Sequence, residues 1–328
     1  MCTSFSIQSK TGHNFFGRNL DLAYSVNESP IIIPRNYELE DKVTGDRVRN
    51  KRAIIGMGTV IDHHPSMIDA MNDDGLVCAG LNFEGFAYFE EKPVQGKTNV
   101  TPYDFIPWTV SYFETINEVN AAISNLELVD VPLNDKTPVP TLHWMITDKA
   151  GESIVVEKTK EKLAVFNNPV GVMTNQPTFD WHLMNLNRYL YVTPKQPEPV
   201  KWSDMELNMR GVGAGTLGLP GDSHSISRFV KIAYARSHMP DIEDDLSAVT
   251  QCFHMLDYVK MVKAGVITEG LEEKTTYSAC MDQENGILYY KNYGNNRINA
   301  VNMHSEELDK DELIILPYQT DQDINFQN

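Results

Sequence analysis

Short runs in which apolar and polar side chains alternate dominate the chain, and a few stretches of helical spacing separate them. Residues 3 to 9 (Thr-Ser-Phe-Ser-Ile-Gln-Ser) alternate, Thr11-Gly12 marks a turn, and Phe15 to Asn19 return as a paired strand. Ile31-Ile32-Ile33 is a short apolar strand ended by Pro34, residues 38 to 52 are charged and read as a solvated loop, and Ala53 to Val60 is the next strand. His63-His64-Pro65 reads as a turn. Met67 to Met71 and Leu76 to Leu81 flank Asn72-Asp73-Asp74-Gly75, a strong hairpin signal. Residues 102 to 126 turn helical, with Ile116, Val119, Ile123 and Leu126 on one buried face. Past the prolines at 132, 138 and 140, three strands follow (142–147, 153–157, 163–166), then a fourth at 170–174. Helices are predicted at 178–192, 223–238 and 244–262, and strands at 275–281, 287–293 and 297–303. Consecutive strands with the helices kept in separate blocks predict an α+β fold, sheets covered by helices, rather than alternating β-α-β units.

The chain's 328 residues allow two average domains or one large one, and no break in composition settles on two; a single domain over 1–328 is expected, and no internal repeat is seen. A net charge of −17 argues against nucleic acid as a partner, because phosphate binding needs clustered Lys and Arg. No apolar stretch approaches the length of a membrane span, and the N-terminus lacks the pattern of a secretory signal. The four cysteines, at 2, 78, 252 and 280, form no C-x-x-C, which suits a reducing compartment; a cytoplasmic protein is expected, with Cys78, Cys252 and Cys280 as buried small hydrophobes.

Among conventional motifs, Gly213-Ala214-Gly215-Thr216-Leu217-Gly218 matches G-x-G-x-x-G, but no strand precedes it and Leu219-Pro220-Gly221 prevents the helix that should follow. The nine histidines are scattered, without metal-ligand spacing. The start of the chain is different. Loss of Met1 leaves Cys2 with a thiol and a free α-amine on one residue, a nucleophile and a base together. The amine titrates near ~8. The reactive form of the sulfur is the thiolate, which a nearby cation favours. The opening hairpin brings Arg18 back beside Cys2 as that cation, and Asp21 is placed to accept a hydrogen bond from the α-ammonium. A surface Arg and Asp beside an accidental cysteine is the plain alternative.

Met1-Cys2-Thr3, Phe16-Gly17-Arg18-Asn19-Leu20-Asp21, Gly80-Leu81-Asn82-Phe83, Met173-Thr174-Asn175-Gln176-Pro177, Gly218-Leu219-Pro220-Gly221-Asp222 and Ser227-Arg228-Phe229 together resemble the choloylglycine hydrolase family. That family holds bile salt hydrolases and penicillin V acylases among the N-terminal-nucleophile hydrolases. The resemblance runs over essentially the whole chain. It implies an αββα fold, two antiparallel sheets between helix layers, and a homotetramer. It implies Cys2 as nucleophile and proton shuttle, Arg18 and Asp21 as its partners, and Arg228 as a further positive charge near the thiol. Asn175 and the backbone amide of Asn82 are then the donors of an oxyanion hole. On their own, Asn175 also reads as a helix N-cap and Arg228 as a salt-bridge partner.

The resemblance further implies amide hydrolysis through a thioester, with no metal and no organic cofactor. Asparagine rather than tyrosine at position 82 favours conjugated bile salts, of glycine or taurine, over penicillin V. Leu20, Met57, Ile61, Phe83, Ile106, Val131 and Leu142 sit in segments that can line an apolar steroid pocket, and each also reads as a core residue. A penicillin V acylase, a silent binding protein on this fold, and a papain-like thiol hydrolase using Cys252 or Cys280 stand as alternatives.

Overall fold

The computed structural model describes residues 1–328, and its backbone is organised by the hairpin predicted at the N-terminus. Strand β1 (Cys2–Gln8) pairs antiparallel with β2 (Asn14–Leu22), in the register Cys2 to Leu20 and Ser4 to Arg18. On one side β1 pairs with Val172–Met173; on the other β2 pairs with Leu271–Asp282, and Ile287–Asn292 and Asn299–Asn302 complete a seven-stranded sheet that includes Val266–Thr268. Eight further strands form a second sheet in the order Leu163–Asn167, Ser153–Lys158, Leu142–Thr147, Val77–Asn82, His64–Asn72, Ile54–Ile61, Ser29–Ile33, Ile314–Ile315, every pairing antiparallel.

The two sheets stack, because each has an apolar inner face that must leave water. One core holds Phe16, Leu20 and Met281 from the first sheet against Met57, Val77, Leu81 and Met145 from the second. Helices α4 (Ser225–His238) and α5 (Asp245–Asp257) cover the outer face of the first sheet, and α1 (Phe105–Tyr112) covers that of the second. These are the four layers, α, β, β, α, of the expected α+β fold. Central strands with cover on both sides lose their alternation: every residue of β2 except Leu22 is buried. Gly17 is required there, since a Cβ would come within 2.7 Å of both Phe5 Cζ and Cys252 Sγ, which wedges α5 against the hairpin.

Several elements differ from expectation for local reasons. The helix expected over 102–126 is two, α1 and α2 (Ile116–Ile123). Asn72 Nδ2 donates to the carbonyls of Val110 and Phe113 and ends α1, while the Thr115 side chain accepts from Glu118 N and starts α2. The helix expected at 178–192 is α3 (Phe179–Asn185) followed by a 3₁₀ turn, and the one at 244–262 stops at Asp257. Part of the expected loop 38–52 is a small hairpin, Glu38–Glu40 with Arg47–Arg49. The glycine motif at 213–218 holds a half-buried 3₁₀ turn, Ala214–Thr216, between exposed residues. No helix is long and apolar enough to cross a membrane.

Candidate active site

Strand alternation divides the residues around Cys2 between two faces. Ser4, in register with Arg18, points at Met145 of the second sheet, so Cys2, Arg18 and Leu20 face the gap between sheets. Thr3, Asn19 and Asp21 face the helices; Asn19 Nδ2 accordingly donates to Leu256 O of α5. The start of β1 is where the two faces meet.

On the inner face Arg18 is 1% exposed. The strands His64–Asn72 and Val77–Asn82 are in register only from Asp69 with Ala79 to Met71 with Val77. Beyond that point the guanidinium inserts between them. Nη1 donates to Ile68 O (2.7 Å) and Asp69 Oδ2 (2.8 Å), and Nη2 to Gly80 O (2.9 Å) and Cys2 Sγ (3.4 Å). Tyr277 Oη donates to the same Asp69 Oδ2. Burial alone pushes the Cys2 thiol up, but Arg18 and the terminal ammonium outweigh it, and the thiol is held below its ordinary value of 9.0.

On the outer face, Arg228 at the start of α4 is fully buried and donates to Cys2 O, to Thr3 Oγ1 (2.5 Å) and to Asn175 Oδ1 (2.7 Å). Asp21 accepts from Thr275 Oγ1 through Oδ1 (2.6 Å), while its Oδ2 is buried without a partner. Burial raises the Asp21 pKa, against the pull of Arg228 and the terminal ammonium. Asp21 lies beside the Met1–Cys2 junction: Met1 N donates to Asp21 O (2.5 Å), and Asp21 N to Met1 O (2.8 Å).

Asn175 closes the gap between the faces. Its Oδ1 accepts from Cys2 N (2.7 Å) and its Nδ2 donates to Asn82 O (2.8 Å). The contact with Asn82 is thus through the carbonyl; Asn82 Oδ1 accepts from Thr141 Oγ1 (3.0 Å). The helix-cap reading of Asn175 does not apply, because Thr178 holds the N-cap position of α3. Arg228 makes no salt bridge, and its bonds are to uncharged oxygens. Cys2, Arg18, Asp21, Asn82, Asn175 and Arg228 therefore form one connected cluster drawn from four separate stretches of sequence.

A full-chain match agrees with this cluster. Residues 2–316 match the family model of linear amide C–N hydrolases, choloylglycine hydrolase family. The chain belongs to that family. It is 43% identical to a bile salt hydrolase/transferase of Clostridium perfringens over 331 residues, with 100% of both chains covered. It is 39% identical to one of Lactiplantibacillus plantarum over 322 residues, covering 98% of each. The crystal structure of a C2A mutant of the C. perfringens conjugated bile acid hydrolase superposes with a TM-score of 0.95 at 42% identity, all of both chains covered.

The apolar residues expected to line a pocket fall in different places. Leu20 and Met57 are buried with Cys2 between the sheets. Phe83 stacks on His143 at 4.2 Å. Ile106 is on the buried face of α1, where its Cδ1 and that of Leu142 border Gly80. Ile61 and Val131 are half-buried near each other's turns, since Asn134 Nδ2 donates to Asp62 Oδ2 (2.6 Å). Sequence reading missed Asp69, Tyr277 and Thr275, which hold Arg18 and Asp21. Each is an ordinary strand residue in sequence, and only the pairing of distant strands gives it a role.

Proposed function

We propose that this protein hydrolyses the amide bond of glycine- or taurine-conjugated bile salts, with Cys2 as nucleophile after loss of Met1. The observation that carries the reading is the environment at the Cys2 nitrogen. Asn175 Oδ1 already accepts from it, and Asp21, whose backbone N and O both bond Met1, carries a buried Oδ2 with no partner. A buried carboxylate oxygen without a donor costs free energy, on the order of 1–3 kcal/mol or more. An α-ammonium at Cys2 supplies the missing donor.

The chemistry then follows from the cluster. Cys2 Sγ, as the thiolate that Arg18 favours, attacks the amide carbonyl carbon. The oxyanion takes the second Nδ2 hydrogen of Asn175 and the backbone N–H of Asn82. Breakage of the C–N bond needs a proton on the leaving nitrogen, which the Cys2 ammonium donates. Water attacks the resulting thioester, its proton passes to the now neutral amine, and C–S cleavage returns the thiolate. Removing one oxyanion donor of this kind typically costs ~10²–10³ in kcat.

Support for bile salts comes from relatives that carry that name at 39–43% identity over nearly the whole chain, and from asparagine at position 82. Ile61, Val131 and Leu142, none of them fully buried, are proposed as the mouth of the steroid site, with Leu20, Met57, Phe83 and Ile106 behind them. Four free cysteines suit the reducing cytoplasm. A homotetramer is proposed as the working form, supported by apolar surface gathered in residues 181–217, where Met184, Tyr191, Trp202 and Met205 are each at least 67% exposed.

The test is release of glycine, taurine and phenoxyacetate from their conjugates, measured side by side on protein of known intact mass. The expected outcome is turnover of the bile-salt conjugates by protein lacking Met1, and near-silence of a folded form that retains it. Full activity with Met1 in place overturns the mechanism; release of phenoxyacetate alone overturns the substrate.

A further inference from the structure

Behind Asn175 lies a second buried cluster to which the mechanism assigns nothing. His143 and Glu157 stand on the neighbouring strands Leu142–Thr147 and Ser153–Lys158, each side chain 1% exposed. His143 Nε2 lies 2.9 Å from Thr174 O, and its Nδ1 lies 3.1 Å from Glu157 Oε1. Glu157 also accepts from Phe179 N, the first residue of α3, at 3.0 and 3.2 Å through its two oxygens. Across the loop, His182 Nε2 lies 3.0 Å from Asn175 O. The two carbonyls that flank the Asn175 Cα are thus each held by an imidazole, and Asn175 N donates to Ser225 Oγ (3.0 Å).

Counting protons fixes the state of the first pair. A carbonyl oxygen only accepts, so Nε2 of His143 carries hydrogen. Nδ1 then faces a carboxylate oxygen, and two lone pairs cannot face each other across 3.1 Å in a dry site. One further proton lies between them, either on the imidazole or on the carboxyl, and the pair as a whole is neutral. His182 is the opposite case: its Nδ1 is buried without a partner, and burial lowers its pKa to about 4.

We propose that His143 and Glu157 share one proton as a positioning pair, setting the Asn175 amide in line with the oxyanion and with Cys2. The pair touches no reacting atom. It acts through the Thr174 carbonyl and the first turn of α3, and Phe83, the residue after Asn82, stacks on the His143 ring and ties the other oxyanion donor to the same support. The inference rests on the reading of Asn175 as an oxyanion donor.

Three variants test it with one bile-salt conjugate as substrate. His143→Leu removes the hold on Thr174 O, and kcat is expected to fall about 30-fold or more with KM changed less than threefold, since misplacement of a catalytic group by ~1 Å can cost 10² in rate. Glu157→Gln supplies an N–H to a neutral His143 and still accepts from Phe179 N, so it is expected to keep kcat within about threefold. Glu157→Leu can do neither and should match His143→Leu. The rate of iodoacetamide labelling at Cys2 should stay within about twofold in all three, because Arg18 and not this pair governs the thiolate. Unchanged kcat in folded His143→Leu overturns the proposal. So does equal loss in Glu157→Gln and Glu157→Leu, and so does a loss that appears only in KM. Failure of the underlying reading looks different: Asn175→Ala would then turn over at the wild-type rate.

Discussion

Taking the charge of Arg18 out of water costs several kcal/mol, and what repays it is a set of fixed acceptors rather than the thiolate alone. The Arg18 guanidinium has two carbonyls and Asp69 as well as Cys2 Sγ. The cation therefore stays in place whether the sulfur is charged, acylated or neutral. Asp69→Ala leaves that charge without its carboxylate and is expected to destabilise the fold by about 3–5 kcal/mol in urea titrations, the range for breaking a buried pair. Arg18→Gln removes the larger of the two charges that hold the thiol below 9.0, so the midpoint of iodoacetamide labelling against pH should move upward and the labelling rate at pH 7 should fall. A midpoint that stays put would mean the terminal ammonium alone sustains the thiolate. At Asn82, replacement by tyrosine keeps the backbone donor and changes only the side chain. A change in the wall of a pocket is worth about 1–3 kcal/mol of discrimination, so kcat/KM for conjugated bile salts should drop by roughly one to two orders of magnitude and for penicillin V less. Equal losses on both would confine Asn82 to the oxyanion.

At the scale of elements, the support behind Asn175 makes the loop between Val172–Met173 and α3 sensitive to acid. His182 is neutral in the folded protein with a pKa of about 4, against 6.5 for an ordinary histidine. Between those values the unfolded chain binds a proton that the folded chain refuses, so this residue's contribution to stability is full above pH 6.5 and is lost as pH falls toward 4. His182→Gln, which can still donate to the Asn175 carbonyl, should flatten that part of the stability profile relative to wild type; a profile unchanged by the substitution would place the acid sensitivity elsewhere. The hairpin β1–β2 and the strands from 142 to 158 were legible from alternation and turn residues, and so were the starts of α4 and α5. Not legible was the break between α1 and α2. It is made by Asn72, which sits some forty residues away in a different sheet strand and bonds Val110 O and Phe113 O. The positions of Cys2, Arg18 and Asp21 could be read because all lie in one hairpin. Their link to Asn175 and Arg228 came only from resemblance, and the holders Asp69, Thr275, His143 and Glu157 carry no local signal at all.

For the whole molecule, the apolar surface of residues 181–217 sets the expected solution behaviour. Trp202 and Met205 face each other at the tip of the hairpin Val200–Trp202 and Met205–Leu207, at 72% and 67% exposure, with little of their own chain to rest on. If the proposed tetramer forms, Trp202→Lys with Met205→Lys should shift the sedimentation of the protein to smaller species while the monomer stays folded; a wild-type monomer at micromolar concentration would remove the tetramer from the proposal. The other consequence concerns time. In the folded chain Met1 is half-buried, its amine is bonded to Asp21 O, and its carbonyl accepts from Asp21 N, as though β1 were one residue longer. If loss of Met1 is what activates the protein, as proposed, removal is favoured while the hairpin is still open, before Asp21 bonds that end. On that reading, production that outruns this removal is expected to yield two populations of one fold, one active and one that retains Met1, separable by intact mass.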